Sequence, residues 1–189
     1  MRRALAVVVA LALLPGCTKK DGSDELPPPD IDGVRVFQGL SHSHDGPYSY
    51  PEKPPVGGAH SPAWLDCGVY DEPVPDVNAV HSMEHGAVWI TYRPTLSEDQ
   101  RNVIRRLQGL KPAYVLISPY EGLPSLVVAS TWGYQLQVDA VDDPRLAEFV
   151  NEYAGGDQGG EGGAPCSGGL SPEEAERFNA SPGATPPAM

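Results

Sequence analysis

The sequence predicts an α+β fold in which a small antiparallel sheet, with elements in the order β-α-β-β-α, carries its helices on one face. In the second half of the chain, β-branched and aromatic residues form short runs that are separated by a helical pattern or by Pro/Gly turns. The preceding half is rich in Pro, Gly, His and Tyr and shows no sustained periodicity. We therefore expect that half to consist of loops, with short strands at most.

The predicted elements of the second half follow one another closely. The first helix has Ser97 as its N-cap and ends at Gly109, and the last helix covers residues 143–153. A Pro/Gly turn joins the two middle strands, and the final strand continues the sheet. The strands are predicted at 87–92, 114–117, 126–130 and 136–138.

The N-terminus has the pattern of a bacterial lipoprotein signal peptide. Arg2 and Arg3 precede an apolar run over residues 4–14, far short of the ~20 residues that a spanning helix needs. Cys17 follows a small residue and is the expected site of lipidation, although secretion with an incidental cysteine is the alternative. We therefore predict an extracytoplasmic protein of the cell envelope, anchored by lipid to the plasma or outer membrane.

The predicted mature chain is acidic and contains a single domain. Removal of residues 1–16 leaves 11 basic and 25 acidic side chains, a formal charge of −14. Such a surface repels phosphate backbones, and no basic patch with interleaved aromatics is present, so we expect no nucleic-acid partner. The sequence gives no indication of a protein partner. The predicted segments are a signal peptide (1–16), a Pro-rich tether (17–33), an α+β domain (34–154) and a Gly/Pro-rich tail (155–189).

Two cysteines, Cys67 and Cys166, remain once the lipidated cysteine is set aside. Disulfides persist outside the cytoplasm, and the even number suggests a bridge that pins the tail to the domain. In the loop-entropy model, closing a loop of this length stabilises the fold by ~4.7 kcal/mol. Two free thiols, or metal ligation by Cys67, are the alternatives.

The histidines are confined to the loop-rich half, at His42, His44, His60, His81 and His85. The spacing of four residues places His81 and His85 on one face of either a helix or a strand. On a helix the string reads H-x-x-E-H, the inverted zinc-peptidase motif with Glu84 as the base. On a strand Met83 joins the histidines, which suits copper, and Glu84 points away and is dispensable for binding. We favour the strand because the adjoining run, residues 86–92, is strongly β-forming.

The histidine cluster predicts a site for a transition metal, with copper slightly favoured over zinc, for buffering or delivery of the ion. The expected ligands are His60, His81 and His85, with His42 or His44. One rival is a zinc-dependent hydrolase in which Glu84 activates water. The other is a non-catalytic envelope interaction domain whose histidines are structural. We commit to no catalytic residue, and the nucleophile elbow, phosphate loop and dinucleotide fingerprint are absent.

Several blocks of sequence, in order, resemble the signature of the domain of unknown function 3105 family over about residues 34–169. They are PPVGGAH (54–60), WLDCGVY (64–70), VHSMEHGAVWITY (80–92), ASTWG (129–133) and GAPC (163–166). The resemblance implies a bacterial extracytoplasmic domain and no settled activity. Met83 stands where the family usually has Leu, which counts against Met83 as an essential copper ligand. The matching family positions are His60, Cys67, His81, Glu84, His85 and Cys166, with His42 or His44 as an earlier histidine.

Overall fold

A computed structural model describes residues 25–181 and 183–186, so the predicted signal peptide and Cys17 lie outside the described residues. Within the described part, no helix combines the length and apolar character that crossing a bilayer requires. The strands are β1 (Arg35–Val36), β2 (Val88–Tyr92), β3 (Val115–Pro119), β4 (Val127–Thr131) and β5 (Tyr134–Val138). The helices are α1 (Asp76–Glu84), α2 (Glu98–Arg105), α3 (Pro144–Tyr153) and α4 (Pro172–Asn179).

The strands form one five-stranded sheet in the order β1-β5-β4-β2-β3. Every neighbouring pair is antiparallel except β2 and β3, which run parallel, with Ile90 opposite Ile117. The parallel pair follows from the connection, because α2 carries the chain back before β3 begins. The predicted α+β class with a mostly antiparallel sheet is confirmed.

Both faces of the sheet are buried. On one face, Val88 and Ile90 belong to a core that includes Ile104 from α2 and Phe149 from α3. On the other face, alternate residues such as Trp89 belong to a second core. Helices α1 and α4 contribute to that second core through Val80, Met83 and Ala175. Helices therefore cover both faces, whereas the sequence predicted them on one, because α1 and α4 were not expected.

Helix N-termini follow the sequence signals closely. At α2, the backbone N–H of Gln100 donates to the Ser97 hydroxyl at 3.3 Å, and the backbone N–H of Ser97 donates to the Gln100 side chain at 3.0 Å. This is the predicted N-cap, completed as a capping box. Ser171 and Glu174 form the same arrangement at α4. That pair was a readable signal for the helix, which the composition of the tail did not predict.

The tail is fastened to the domain. A disulfide joins Cys67 to Cys166, with 5.3 Å between the Cα atoms, and confirms the predicted pairing. Beyond it, Leu170 bridges to Leu65 in a short parallel pairing. Upstream of it, the backbone N–H of Gly155 donates to the Gly86 carbonyl at 2.8 Å. The glycine-rich segment, defined here as residues 155–163, is consequently held against the end of α1.

Candidate functional site

The H-x-x-E-H motif lies on helix α1, so the strand interpretation was wrong. His81 and Glu84 are in the last turn of the helix, and His85 is its C-cap. Glu84 consequently faces the histidines rather than pointing away from them. Met83 is fully buried and belongs to the apolar core beneath the helix.

Gly86 explains why a helix and a strongly β-forming run can adjoin. The backbone N–H of Ala87 donates to the Ser82 carbonyl at 2.9 Å, and that of Gly86 donates to the Met83 carbonyl at 3.0 Å. These two bonds form a Schellman motif, which requires a left-handed residue at the position of Gly86, whose φ is +92°. The helix therefore stops there, and β2 begins at Val88.

The 54–60 block turns the chain so that a histidine enters the site. Gly57 and Gly58 have φ values of +134° and +116°, which other residues rarely adopt. The turn aims the Gly58 carbonyl at Nδ1 of His60, 2.7 Å away. The backbone N–H of His60 donates to the Ser43 carbonyl at 2.9 Å, which brings the 42–44 segment alongside.

Two polar side chains of α1 hold the next loop against the helix. The Asn78 amide donates to the Ala63 carbonyl at 2.7 Å, and the Ser82 hydroxyl donates to the Leu65 carbonyl at 2.9 Å. Both side chains are buried. The serine of the H-S-x-E-H string is therefore a structural residue that keeps the loop and the helix in register.

Glu84 is the centre of the site, with only 4% of its side chain exposed. Its Oε1 lies 2.5 Å from Nδ1 of His42, and its Oε2 lies 2.8 Å from Nε2 of His60. Nε2 of His44 lies 3.6 Å from the same Oε2. Burial raises the pKa of Glu84, but the hydrogen bonds from His60 and His42 outweigh it and lower the pKa to about 2. Glu84 is therefore a carboxylate at neutral pH.

Two buried imidazoles are oriented through their Nδ1 atoms. Nδ1 of His60 faces the Gly58 carbonyl and Nδ1 of His81 faces the Ser61 carbonyl, each at 2.7 Å. A carbonyl only accepts, so each Nδ1 carries a proton. In His81 the lone pair is then on Nε2, whereas Nε2 of His60 donates a second hydrogen bond to the Glu84 carboxylate. Burial lowers the pKa of His81 to about 3, which keeps that ring neutral. Histidines that ligate metals are oriented in this way.

The potential ligand atoms fall into two groups. The Glu84 site consists of His44, His60, His81 and Glu84, whose donor atoms all lie within 4.8 Å of one another. The Glu161 site consists of His81, His85 and Glu161 within the same limit. His81 belongs to both sites.

The model of a family described as "Protein of unknown function (DUF3105)" matches residues 42–168. The chain belongs to the DUF3105 family. No curated protein and no solved structure matched it. The matched range contains every residue of both sites and the disulfide, so the candidate centre lies wholly within the DUF3105 domain.

The structure brings all the predicted histidines of this DUF3105 domain together, but not as one ligand set. His60 and His81 lie in the Glu84 site, and His44 is the earlier histidine that joins them. His42 contacts Glu84 and stacks on Trp132 at 4.4 Å, outside both donor groups. His85 lies in the Glu161 site instead.

Sequence reasoning missed Glu161 because it lies in the glycine-rich segment, which looked like a linker. Gly159 approaches the backbone of Glu84 so closely that a Cβ would lie 2.4 Å from the Glu84 carbonyl oxygen. Only glycine permits this approach, and it carries Glu161 to within 3.3 Å of His85. An acidic residue among glycines, shortly before a disulfide cysteine, was the available signal.

Proposed function

We propose that this DUF3105 domain binds one transition-metal ion at the Glu84 site, for buffering or delivery of the ion in the cell envelope. The observation that carries the proposal is the convergence of three imidazoles and one carboxylate within 4.8 Å. In the two buried rings, those of His60 and His81, the Nδ1 proton is already fixed by a backbone carbonyl. Such preorientation leaves Nε2 of His81 free to bind a metal, and Nε2 of His60 becomes a ligand when the ion replaces the proton of its hydrogen bond to Glu84.

The donor separations suit a small ion. Ligand atoms of a tetrahedral zinc site, ~2.1 Å from the metal, lie about 3.4 Å from one another. Here Oε2 of Glu84 lies 2.8 Å from Nε2 of His60 and 3.6 Å from Nε2 of His44. Movements of under about 1 Å would therefore admit the ion between them. The protonation states of Glu84 and His81 at neutral pH are also those that metal ligation requires.

The donor set favours zinc or copper(II). Imidazole suits both metals, and nitrogen and oxygen sites generally bind Cu²⁺ more tightly than Zn²⁺, so copper stays ahead of zinc in the proposal. The Met83 thioether, which would have favoured copper on a strand, does not contribute to the site, since Met83 packs into the core. The carboxylate of Glu84 would offset part of the charge of either ion.

Metal binding is a better interpretation than zinc-dependent hydrolysis. The helical conformation gives His81, Glu84 and His85 the spacing of the inverted zinc-peptidase motif. However, both carboxylate oxygens of Glu84 face imidazoles, and its side chain is 4% exposed. A general base needs access to the water that it deprotonates. These contacts support a role for Glu84 as a ligand.

The envelope location belongs to the same proposal. The N-terminal pattern with Cys17 supports a lipid anchor, and that segment lies outside the described residues. The disulfide between Cys67 and Cys166 agrees with an oxidising compartment. A metal site at the membrane surface would suit an acidic, tethered domain.

Elemental analysis of untagged protein, combined with titration of Cu²⁺ and Zn²⁺, tests the proposal. We expect one ion per chain, and we expect Glu84→Gln and His60→Asn to weaken binding at least tenfold because each removes a ligand. Glu152→Gln, at an exposed position on α3, is the matched control and should bind as wild type does. Unchanged affinity in both site variants, or no binding by wild type, would overturn the proposal and leave the structural-histidine interpretation.

A further inference from the structure

His85 is a buried imidazole without a hydrogen-bond partner among the described residues. Its side chain is 1% exposed, and neither ring nitrogen makes a hydrogen bond. Oε2 of Glu161 lies 3.3 Å from its Nε2, but the two groups are not aligned for a bond. A buried polar group in this state requires an explanation, and a role in ligating an ion is one of the standard explanations.

The separation that is poor for a hydrogen bond is suitable for chelation. Two ligands of one tetrahedral ion lie about 3.4 Å apart, close to the 3.3 Å between Nε2 of His85 and Oε2 of Glu161. His81 supplies a third donor within 4.8 Å of both. The Glu161 site therefore has the composition of an open three-ligand metal site.

The two sites cannot be filled at once through His81. Its Nδ1 is engaged by the Ser61 carbonyl, so Nε2 holds the only available lone pair. One lone pair binds one ion. The His81 ring lies between the other two buried rings, with centroids 5.0 Å from His60 and 4.8 Å from His85.

We propose that a single ion has two alternative positions, the Glu84 site and the Glu161 site, and exchanges between them while Nε2 of His81 stays bound. In that exchange, the bonds to Glu84, His60 and His44 break as bonds to His85 and Glu161 form. As the ion leaves the Glu84 site, Nε2 of His60 takes up one proton from water and its hydrogen bond to Glu84 re-forms, and no electron is transferred. The inference rests on the proposed function and adds a path by which the ion moves from the Glu84 site to the Glu161 site.

The exposed ligands indicate what the exchange is for. His44 and Glu161 are 43% and 44% exposed, whereas the side chain of His60 is fully buried. His44 belongs to the irregular N-terminal half and Glu161 to the glycine-rich segment, so each site presents a different segment to solvent. An ion that binds from solvent at one exposed ligand, His44 or Glu161, could therefore dissociate into solvent at the other.

Copper(II) is a suitable probe because its paramagnetic resonance spectrum reports the number of bound nitrogens. We expect wild type to bind one Cu²⁺, and Glu161→Gln and His85→Asn to retain one Cu²⁺ but to release it to a chelator at least tenfold more slowly. Glu84→Gln should retain weaker binding with fewer nitrogens, and the double variant Glu84→Gln/Glu161→Gln should lose it. Asp157→Asn removes a charge from the same segment and should release copper as wild type does.

The outcomes separate the inference from the proposed function. Failure of wild type to bind copper would overturn both. Normal binding by wild type together with unchanged release in Glu161→Gln and His85→Asn would overturn the two-position inference alone. Simultaneous binding of two Cu²⁺ ions would also overturn it, because the positions would then not compete for His81. Circular dichroism of each variant establishes that the fold is intact.

Discussion

Gly159→Ala tests whether the glycine-rich segment packs on α1 as the structure shows. The new Cβ would lie 2.4 Å from the carbonyl oxygen and 2.5 Å from the Cα of Glu84. These are backbone atoms, which cannot rotate away as a flexible side chain can. The segment must therefore move by about 1 Å to restore a normal separation of ~3.5 Å.

Overpacking of this kind typically costs about 1–3 kcal/mol of unfolding free energy. In a chain of this size, each kcal/mol lowers the melting temperature by roughly 2–4 °C. The shift would also carry Glu161, two residues further on, away from His85. We therefore expect Gly159→Ala both to unfold earlier and to weaken the Glu161 site.

Urea denaturation and copper release provide the measurements, with Gly109→Ala as the matched control. Gly109 lies outside the left-handed region, and a Cβ added there would meet no atom within 4 Å, so its substitution should not lower stability and should leave release unchanged. An unfolding midpoint for Gly159→Ala equal to that of wild type would refute the close packing. The glycine-rich segment would then be the linker that its composition suggests.

Three further predictions concern the cysteines and the central carboxylate. Replacing Cys67 and Cys166 together by serine should lower the free energy of unfolding by about 2–5 kcal/mol, measured in urea, and an unchanged midpoint would contradict this. Because the folded pKa of Glu84 is about 2 against a usual 4.5, its stabilisation is present above pH 4.5 and lost as the pH falls towards 2. The metal-free protein should lose on the order of 3 kcal/mol over that window, and Glu84→Gln should lack this component in acid titrations. Cys17→Ser should move the protein from the membrane fraction to the soluble fraction, and retention in the membrane would contradict the lipid anchor.

The second half of the fold was predictable because its signals are local. β-Branched runs gave β2 to β5 within a few residues of their observed limits, and Ser97 capped the helix where the pattern placed it. The pairing of Cys67 with Cys166 followed from the number of cysteines. Parallel pairing of β2 with β3 was not predicted, although the predicted helix between these strands is the connection that parallel pairing needs.

The site was only partly predictable because its ligands depend on contacts between distant segments. The clustering of histidines was visible, but the choice between helix and strand depended on Gly86, whose left-handed backbone separates the two. Glu161 could not be found by composition, because the segment that carries it has almost no apolar residues. Its position comes from backbone contacts of Gly155 and Gly159 with the end of α1.

The disulfide gives Glu161 the character of a tethered ligand. The segment that carries it is fixed upstream where Tyr153 packs in the core, and downstream where Cys166 is joined to Cys67. A carboxylate on so short a segment remains near the site after its bond to an ion breaks, at an effective concentration of roughly millimolar or more. In the proposed two-position exchange, Glu161 would therefore rebind a released ion faster than a free carboxylate in solution would bind it. Reduction of the disulfide would free the downstream end of the segment and lower the effective concentration of Glu161 at the site. The affinity of the proposed Glu161 site for the ion would then depend on the redox state of the compartment.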